Sequence, residues 1–460
     1  MAVRSPFAAL RHRNFRLYWM GQCISLIGTW MQRVAQSWLV LELTNSPFLL
    51  GVVGALQFTP IFFLALPAGA VADRVPRRKL VMVTQASAMT LAFVLGILTL
   101  TGRVTVAHIM VLATLLGVVT SFDTPARQSM IMDLVGREDI LNAIALNSTS
   151  FNVARLIGPS VAGLLIAATG TGWAFVANGI SFLAVLISLA LMNLEEHPTP
   201  GRMVLLRDIG AGLSFISRTP HVLAVFVAAG LTSTLAMNFQ TLLPVLARQE
   251  MHTGSEGFGF LLSAQGAGAL TGALALAAIS EGGPRPRLLW GALFAFTGLE
   301  TVLGIITGPV PRGLSFPVLI PLLVAVGWSM ITFTTSANST IQVSVPPQMR
   351  GRAMSVYSML MQGTGPLGNL IAGTLADRWG AGWAFTVGGG SSLAAALLIT
   401  QWLSRVSRSM DRPCPGIHGP AQPSGAGRAT VPPRRRPPAT YPREQNRTSG
   451  SSAAHARCQR

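Results

Sequence analysis

The sequence predicts an all-α integral membrane protein with twelve transmembrane helices, arranged as two six-helix bundles. Three observations point to this fold: long uncharged blocks, an uneven distribution of cations, and a repeat between the two halves. Half of the 460 residues are hydrophobic and only 11% are charged, whereas about a quarter are charged in ordinary soluble domains. The apolar blocks have the length of about 20 residues that a membrane-crossing helix needs, and a helix satisfies its own backbone polar groups.

We place six spans on each side of a polar linker. In the first half they lie near 15–42, 47–71, 80–101, 105–122, 143–169 and 173–194. In the second half they lie near 221–247, 257–279, 288–309, 315–341, 351–376 and 383–403. The linker contains "VLLRDIGAGLSFI", which is typical of an amphipathic helix on a membrane surface. The predicted domains are a first bundle at 1–194, the linker at 195–220, a second bundle at 221–404 and a tail at 405–460.

The tail has a composition that cannot bury enough apolar surface to fold. It holds eleven of the 34 Lys and Arg residues, scattered among Pro, Ser and Gly, and we expect it to be disordered and cytoplasmic. Its "PPRRRPP" segment has two interpretations, a solvated tail or a contact with anionic lipid head groups or RNA. We favour the solvated tail and expect no nucleic-acid partner.

The placement of cations indicates how the chain crosses the membrane, because Lys and Arg are retained on the cytoplasmic side. With a cytoplasmic N-terminus, the inner segments hold seventeen cations outside the tail. The outer loops then hold four, namely Arg103, Arg248, Arg312 and Arg378. We expect both termini in the cytoplasm of a bacterium and the protein in its cytoplasmic (inner) membrane, since 33 arginines against one lysine are typical of a GC-rich bacterial genome.

An internal repeat relates the two halves. "GPSVAGLLIAATGTGWAFVANGISFLA" at 158–184 resembles "GNLIAGTLADRWGAGWAFTVGGGSSLA" at 368–394, with a constant offset of 210 residues. The offset pairs span five with span eleven, so the two halves run parallel across the membrane. It also aligns Asp377 with Ala167. We therefore interpret "GTLADRWG" as a local helix-end turn and not as a second copy of the charged loop described next.

The charged loop is "GAVADRVPRRKLV", Gly69–Val81, which places one acid and four cations between two uncharged spans. Twelve parallel-repeat spans with Gly-x-x-x-Asp-Arg-x-x-Arg-Arg-Lys between spans two and three resemble the major facilitator superfamily, over about residues 1–404. Pro76 stands where that family usually has glycine. The resemblance implies that this loop acts as a cytoplasmic latch in the outward-facing state. The latch residues carried over are Gly69, Asp73, Arg74, Arg78 and Lys79. The alternative, a topology anchor, explains the cations but not Asp73.

Three further segments narrow the resemblance. "GTWMQRVAQSWLVLELTNSP", "DTPARQSMIMDLVGREDILNAIALNS" and "MRGRAMSVYSMLMQGTGPLG" are similar to the branch of bacterial exporters that includes enterobactin exporters. The resemblance implies secondary active export of a siderophore or another anionic or amphiphilic metabolite by alternating access.

Polar residues inside the spans are the candidates for a substrate cavity, because an ionisable group at that depth is costly. The candidates are Gln22, Thr29, Arg33, Gln36, Asn152, Arg155, Asn238, Thr335, Gln342 and Gln362. Those of span one, together with Ser25, recur at three- and four-residue steps and so share one helix face. Two arginines without an obvious counter-acid favour an anionic substrate. Alternatively, Arg33 or Arg155 forms a structural tie to helix carbonyls or to Asp123. Trp30, Trp38 and Phe151 either stack on an aromatic substrate or serve packing.

Span five carries "GPSVAG", with Gly158, Pro159 and Gly163, which is similar to part of a motif of proton-driven antiporters in this superfamily. A Gly-Pro step loosens the helix and permits bending, so we expect a hinge there. Proton coupling follows from the resemblance. Asp123 is the preferred carrier and Glu42 the second candidate, whereas Glu300 lies in span nine, which should be peripheral.

Several other functions stay open. They are broad multidrug efflux, lysophospholipid movement, and a non-transport sensor or scaffold that uses the basic tail. An enzyme is not expected, because no acyltransferase His-Asp pair or metal-ligand cluster is recognisable in the sequence. The expected partners are a small-molecule substrate, the lipid bilayer and protons, with no cofactor or metal, and a monomer is expected.

Overall fold

A computed structural model describes residues 7–193, 206–279, 285–307 and 315–410, and all its regular elements are helices. After a short turn at Ala8–Arg11 the first half contains α1 (Arg13–Thr44), α2 (Pro47–Arg74), α3 (Arg77–Leu100), α4 (Val106–Thr169) and α5 (Thr171–Ala190). The linker helix is α6 (Leu206–Arg218). The second half contains α7 (Pro220–Leu235), α8 (Phe239–Val245), α9 (Ser255–Ile279), α10 (Pro286–Thr307), α11 (Ser315–Ser344), α12 (Pro347–Gly363), α13 (Gly365–Trp379) and α14 (Ala381–Met410).

Ten stretches within the described residues are long and apolar enough to cross a membrane. Two of them are the arms of α4, Val106–Gly136 and Glu138–Thr169, which meet at a kink where Gly136 has a φ of 69°. The expected first and eleventh spans correspond to α1 and to α12 with α13, and they are outside this set of ten. Their lower hydropathy reflects polar side chains, and in α1 Gln22, Gln32 and Gln36 are buried.

The charged stretch between spans four and five is helical, although the sequence predicted that span four ends near residue 122. The helix continues because its charges have partners on neighbouring segments. Arg77 at the start of α3 pairs with Asp133 at 2.7 Å, and His12 contacts Asp139 at 2.8 Å. Side-chain pairs thus add to the apolar burial that also orders this end of the first bundle.

The repeat of 210 residues is visible in the backbone. Gly170 follows α4 with φ 86° and ψ 168°, and Gly380 follows α13 with φ 87° and ψ 165°. A positive φ strains residues with a Cβ, so glycine is the residue that fits both corners. Each corner leads into the last helix of its half, α5 or α14.

The two halves pack crosswise, the second arm of α4 against α9 and α2 against α13. Both crossings bring backbones together at glycines. A Cβ added at Gly259 would lie 3.1 Å from the Gly163 Cα, and a Cβ added at Gly51 would lie 3.1 Å from the Gly373 Cα. Both crossings lie toward the end of the molecule that holds the α1–α2 turn, which we call the Asn45 end.

The second half interrupts two helices that are continuous in the first half. Expected span seven is divided between α7 and α8 at residues 236–238, and expected span eleven is divided between α12 and α13 at Thr364. The two interruptions are adjacent, because the Ser233 hydroxyl donates to the Met361 carbonyl at 2.9 Å. A π-helical turn at Leu246–Glu250 follows α8.

The ends of the second half differ slightly from the predicted boundaries. The expected helix in the linker is present as α6, and it packs against α12 and α7. Helix α14 continues to Met410, past the predicted boundary at 404. The remainder of the predicted tail, 411–460, lies outside the described residues.

Candidate functional site

A cavity of about 220 Å³ opens among the helices of the first half, and α1 contributes the most polar groups to it. Its charged and polar lining comprises Tyr18, Gln22, Ser25, Thr29, Gln32, Arg33, Gln36, Gln57, Gln85, Thr120, Asp123, Thr124, Arg127, Gln128, Asn147 and Asn178. Apolar lining comes from Trp30, Phe151 and Phe182 among others. A few convergent polar groups on a mainly apolar wall are typical of small-molecule sites.

Two arginines flank one indole ring beside this cavity. The guanidinium carbon of Arg33 lies 4.8 Å from the Trp30 ring centroid, and that of Arg155 lies 6.0 Å from it. Phe151 meets Trp30 edge-on, with 5.7 Å between the centroids. Cation–π contacts of this kind stabilise a guanidinium modestly and leave its N–H donors free. In the described part of the chain neither arginine pairs with a carboxylate. Arg155 makes one long hydrogen bond, 3.4 Å, to Gln265.

Asp123 has different partners from those considered in the sequence analysis. Its carboxylate pairs with Arg127 one turn away on α4, at 2.6 Å. It also accepts hydrogen bonds from the Thr84 hydroxyl at 2.8 Å and from the Gln85 amide at 2.9 Å, both on α3. The suggestion that Arg33 or Arg155 pairs with Asp123 is therefore wrong, because Arg127 occupies that position. The cavity wall thus contains the Asp123–Arg127 pair at one place and, at another, Arg33, which pairs with no carboxylate among the described residues.

The charged loop connects α2 to α3 at the end of the molecule opposite Asn45. Arg78 donates to the carbonyls of Leu189 at 2.7 Å and Ala190 at 3.0 Å, at the carboxyl end of α5. A cation there complements the negative end of the helix dipole. Among the described residues, no atom of another helix lies within 4 Å of the position that a Cβ on Gly69 would take. No neighbouring helix therefore approaches α2 closely at Gly69 in this structure.

The other latch residues lie around the same turn. Arg74 ends α2 and is exposed, as is Lys79 near the start of α3. Asp73 lies in the last turn of α2, but its side chain lies outside the described part of the structure.

The Asn45 end, by contrast, is closed by polar contacts between the halves. The Asp377 carboxylate accepts hydrogen bonds from the Ser46 hydroxyl at 2.9 Å and from the Phe48 backbone N–H at 3.2 Å, at the start of α2. The Gln249 amide donates to the Asn45 carbonyl at 2.9 Å. The interpretation of "GTLADRWG" as a local turn is therefore incomplete, because Asp377 joins the two halves.

A second cross-half contact at this end involves aromatic and charged groups. The Arg248 guanidinium carbon lies 5.4 Å from the Trp38 ring centroid. The Trp38 indole N–H donates to the Glu42 carboxylate at 2.8 Å. Glu42, a candidate proton carrier, thus lies at the Asn45 end and outside the wall of the cavity.

With this geometry in place, comparisons with known proteins identify the family. A family model described as transmembrane secretion effector matches residues 4–418. The chain belongs to this family. The match spans both bundles, and the major facilitator resemblance seen in the sequence is confirmed.

Curated relatives of this chain are transporters. It is 24% identical to the staphyloferrin A transporter of Staphylococcus aureus over 83% of this chain and 94% of that protein. It is 28% identical to the multidrug efflux pump Tap of Mycolicibacterium fortuitum over 75% of this chain and 85% of that protein. It is 26% identical to the enterobactin exporter EntS of Shigella boydii over 75% of this chain and 81% of that protein. The protein is therefore a multi-pass membrane transporter of the major facilitator type, in a siderophore-exporter-like branch.

Solved structures agree on the fold. A bacterial homologue of the human lysosomal transporter Spinster, in an inward-facing and unoccupied conformation, matches with a TM-score of 0.65 at 14% identity, over 88% of this chain and 99% of that one. A POT family transporter matches with a TM-score of 0.69 at 13% identity, over 86% of this chain and 97% of that one. At these identities the likeness shows the fold alone.

The structure brings together part of the predicted cavity set. Gln22, Thr29, Arg33 and Gln36 line the cavity of the first half. Asn152 and Arg155 lie outside its wall, on the second arm of α4, and Asn238 lies in the interruption of span seven. Thr335, Gln342 and Gln362 are exposed and are not in the wall. Four of the ten predicted residues therefore share this one cavity.

A smaller cavity of about 30 Å³ links that wall to the second half. Arg33 and Gln36 line it together with Gln240, Thr241 and Asn369, and the Thr241 hydroxyl donates to Asn369 at 2.8 Å. Sequence analysis did not select Gln57, Gln85 or Asn178 for the cavity. The available signal was an amide inside an apolar span, but the sequence does not show which face of the helix it occupies.

The expected hinge residues lie in tight packing. A Cβ at Gly158 would lie 2.6 Å from the Trp30 Cβ, and Gly163 lies at the crossing with α9. Within α4 the only non-helical φ/ψ pair of the described residues is at Gly136, so the helix continues through the Gly158–Pro159 step.

Proposed function

We propose that this secretion effector exports a small organic anion, such as a siderophore, by alternating access coupled to proton antiport. The observation that carries the proposal is the pair of arginines on Trp30, both without a carboxylate partner, beside a polar cavity. Two guanidinium groups with free N–H donors bind carboxylate or catecholate oxygens well. Trp30 and Phe151 add aromatic surface for a substrate ring.

The relatives support the substrate class. Two of them are named for siderophores, staphyloferrin A and enterobactin. We extend this class to the present chain because Arg33 in the cavity wall and Arg155 beside it pair with no carboxylate among the described residues. Export from the cytoplasm, with both termini inside a bacterial inner membrane and the protein working as a monomer, belongs to the same proposal.

Alternating access has support in the unequal ends. Cross-half hydrogen bonds hold the Asn45 end together, while Gly69 at the charged loop has open space around it. In the opposite state the charged loop would close its own end through Gly69, Asp73, Arg74, Arg78 and Lys79, and the Asn45 end would open. The hinge of Gly158, Pro159 and Gly163 would bend during that exchange.

For proton coupling we propose Asp123 as the carrier, ahead of Glu42. Asp123 lines the cavity and is held by Arg127, so its protonation would release a guanidinium into the space that the substrate enters. An outward-moving anion and an inward-moving proton would then alternate at one place.

The proposal is tested by untargeted mass spectrometry of spent medium, with and without iron starvation. Cells lacking the gene are compared with cells that express the intact protein, Arg33→Ala, or the control Arg103→Ala in the exposed α3–α4 loop, at equal protein levels. We expect a metabolite that accumulates outside with the intact protein and with Arg103→Ala but not with Arg33→Ala. Indistinguishable media, with all proteins folded in the membrane, would contradict siderophore-type export.

Broad multidrug efflux is a second candidate, favoured by the 28% identity to the efflux pump Tap. It predicts that expression raises the inhibitory concentration of chemically unrelated drugs. Arg33→Ala should leave that resistance unchanged for hydrophobic cations, because they gain nothing from an unpaired guanidinium.

A further inference from the structure

One carboxyl group of the second half lies outside every site described above. Glu300, in the middle of α10, is 1% exposed, and neither of its carboxylate oxygens has a hydrogen-bond partner within the described residues. The hydroxyls of its neighbours Thr297 and Thr301 donate to their own helix backbone, to Leu293 and Thr297. An ionised carboxylate in such a place would be costly.

The surroundings of Glu300 contain no nearby charge. Helix α11 and helix α8 have no titratable residue. The charged groups of the other packed helices lie near their ends: Arg287 on α10, His221 on α7 and Arg405 on α14 are each about 20 Å or more away along their helices. Glu250 is the nearest, because it accepts from the Gly382 N–H at 3.1 Å, about 9 Å along α14 from Gly388.

Glu300 lies beside the interruption of span seven. A Cβ placed on Gly388 of α14 would contact the Leu235 carbonyl, the last residue of α7, and would lie 3.8 Å from a Glu300 carboxylate oxygen. Two other carbonyls of this helix end have donors: that of Thr232 accepts from the Ala236 N–H at 2.9 Å, and that of Thr234 from the Asn238 amide at 2.8 Å. In the described part of the chain, no donor bonds to the Leu235 carbonyl.

From this geometry we propose that Glu300 is a proton-binding site, and that its protonated carboxyl donates a hydrogen bond to the free carbonyl end of α7. A protonated carboxyl supplies the one donor that this apolar pocket lacks, and the helix end supplies the acceptor. Loss of the proton would leave a carboxylate facing a carbonyl, which repel each other. The protonation state of Glu300 would therefore set the geometry of the span-seven interruption.

The consequence for transport rests on the proposed function above. The interruption of span seven adjoins that of span eleven, through the hydrogen bond from Ser233 to Met361. A proton at Glu300 would thus act on two spans of the second half that contact the first half. It would be a second proton site, remote from Asp123.

Infrared spectroscopy of the purified full-length protein in lipid, titrated with pH, tests the site without any substrate. We expect a carbonyl band of a protonated carboxyl that loses its intensity as pH rises and is absent in Glu300→Gln. Glu250→Gln is the matched control, since that carboxylate accepts a backbone hydrogen bond, and it should keep the band. The same titration in Glu300→Gln, or a band that persists at every pH, would overturn the proposal.

Glu300→Asp is a second variant that keeps the test possible if Glu300→Gln does not fold. The shorter side chain keeps a titrating group but moves it from the Leu235 carbonyl, so the band should remain with a shifted frequency and midpoint. An unchanged band would also overturn the proposal. No substrate enters this experiment, so the two proposals can fail separately. A titrating Glu300 band without an exported metabolite would reject the proposed function alone. An exported metabolite without a titrating Glu300 band would reject the proton site alone.

Discussion

The two halves of the molecule share a repeat and differ in how they place polarity inside the membrane. The first half has continuous helices and charged side chains, with Arg33 and the Asp123–Arg127 pair around one cavity. The second half interrupts two helices and buries one unpaired carboxyl, Glu300. The two halves therefore share a scaffold built by the repeat of small residues. Charged side chains supply the polar groups inside the first half. Interrupted helices and one isolated carboxyl supply those inside the second half.

The largest expected effect comes from removing a paired charge in the first half. Asp123→Asn leaves Arg127 without its counter-ion, and breaking a buried pair costs about 3 kcal/mol or more of the free energy of unfolding. Glu300→Gln, the matched change in the second half, removes no partner and should cost much less. Unfolding by detergent titration in mixed micelles measures both. Equal losses would contradict the contrast between the halves.

A second test compares side chains that the sequence assigned to one cavity. Arg33→Ala should lower the export rate of an anionic substrate about tenfold to a hundredfold, since hydrogen bonds to charged groups contribute about 1.5–3 kcal/mol. Thr335→Ala in the second half should change it little, because Thr335 is exposed and outside the cavity wall. Initial export rates at equal protein levels measure both. A large effect of Thr335→Ala would move the site toward the second half.

The third test asks whether the two glycine crossings are equivalent. Gly163→Val and Gly373→Val should each destabilise the closed Asn45 end, by about 1–3 kcal/mol, since overpacking forces the backbones apart. Gly291→Val is the control, because nothing lies within 4 Å of its Cβ position. In a background without native cysteines, Leu50→Cys, buried at this end, should become accessible to an impermeant maleimide with either crossing variant. Labelling with only one of them would show that the crossings are not equivalent.

The smallest effect is expected at the ends of the molecule. Asp377→Asn keeps an acceptor at the start of α2 but removes the negative charge, which contributes about 0.3–1 kcal/mol at a helix N-terminus. It should raise Leu50→Cys labelling a few-fold, whereas Asp73→Asn should lower it by weakening the opposite end. A shift in the same direction for both variants would argue against two opposing closures.

Much of the fold could be predicted because it depends on local physics. Block length and the absence of charge predict helices across the membrane, and the identities at a constant offset of 210 predict two parallel halves. The interruptions at residues 236–238 and at Thr364 could not be predicted. Those segments read as continuous apolar spans, and the breaks depend on partners such as Ser233 and Met361 from different helices.

The candidate site was predictable only in part, for the same reason. Arg33 and Arg155 were recognisable because a charge in an apolar block is rare, yet the sequence left open what each contacts. Trp30 between them, Arg127 as the partner of Asp123, and the Asp377 contact to α2 all involve rotamers or helix crossings. Residues 110 or more positions apart meet in several of these contacts, and no periodicity encodes such meetings.

By itself the sequence determined that the chain is a helical membrane protein of two repeated halves, with arginines at span depth and a charged loop between spans two and three. These properties follow from the transfer free energy of each segment, which is a sum over its own residues. Only the tertiary structure decided which arginine is paired, which end is closed and which carboxyl is isolated. Pairing, closure and isolation are properties of neighbours in space, and they are set by how the helices cross.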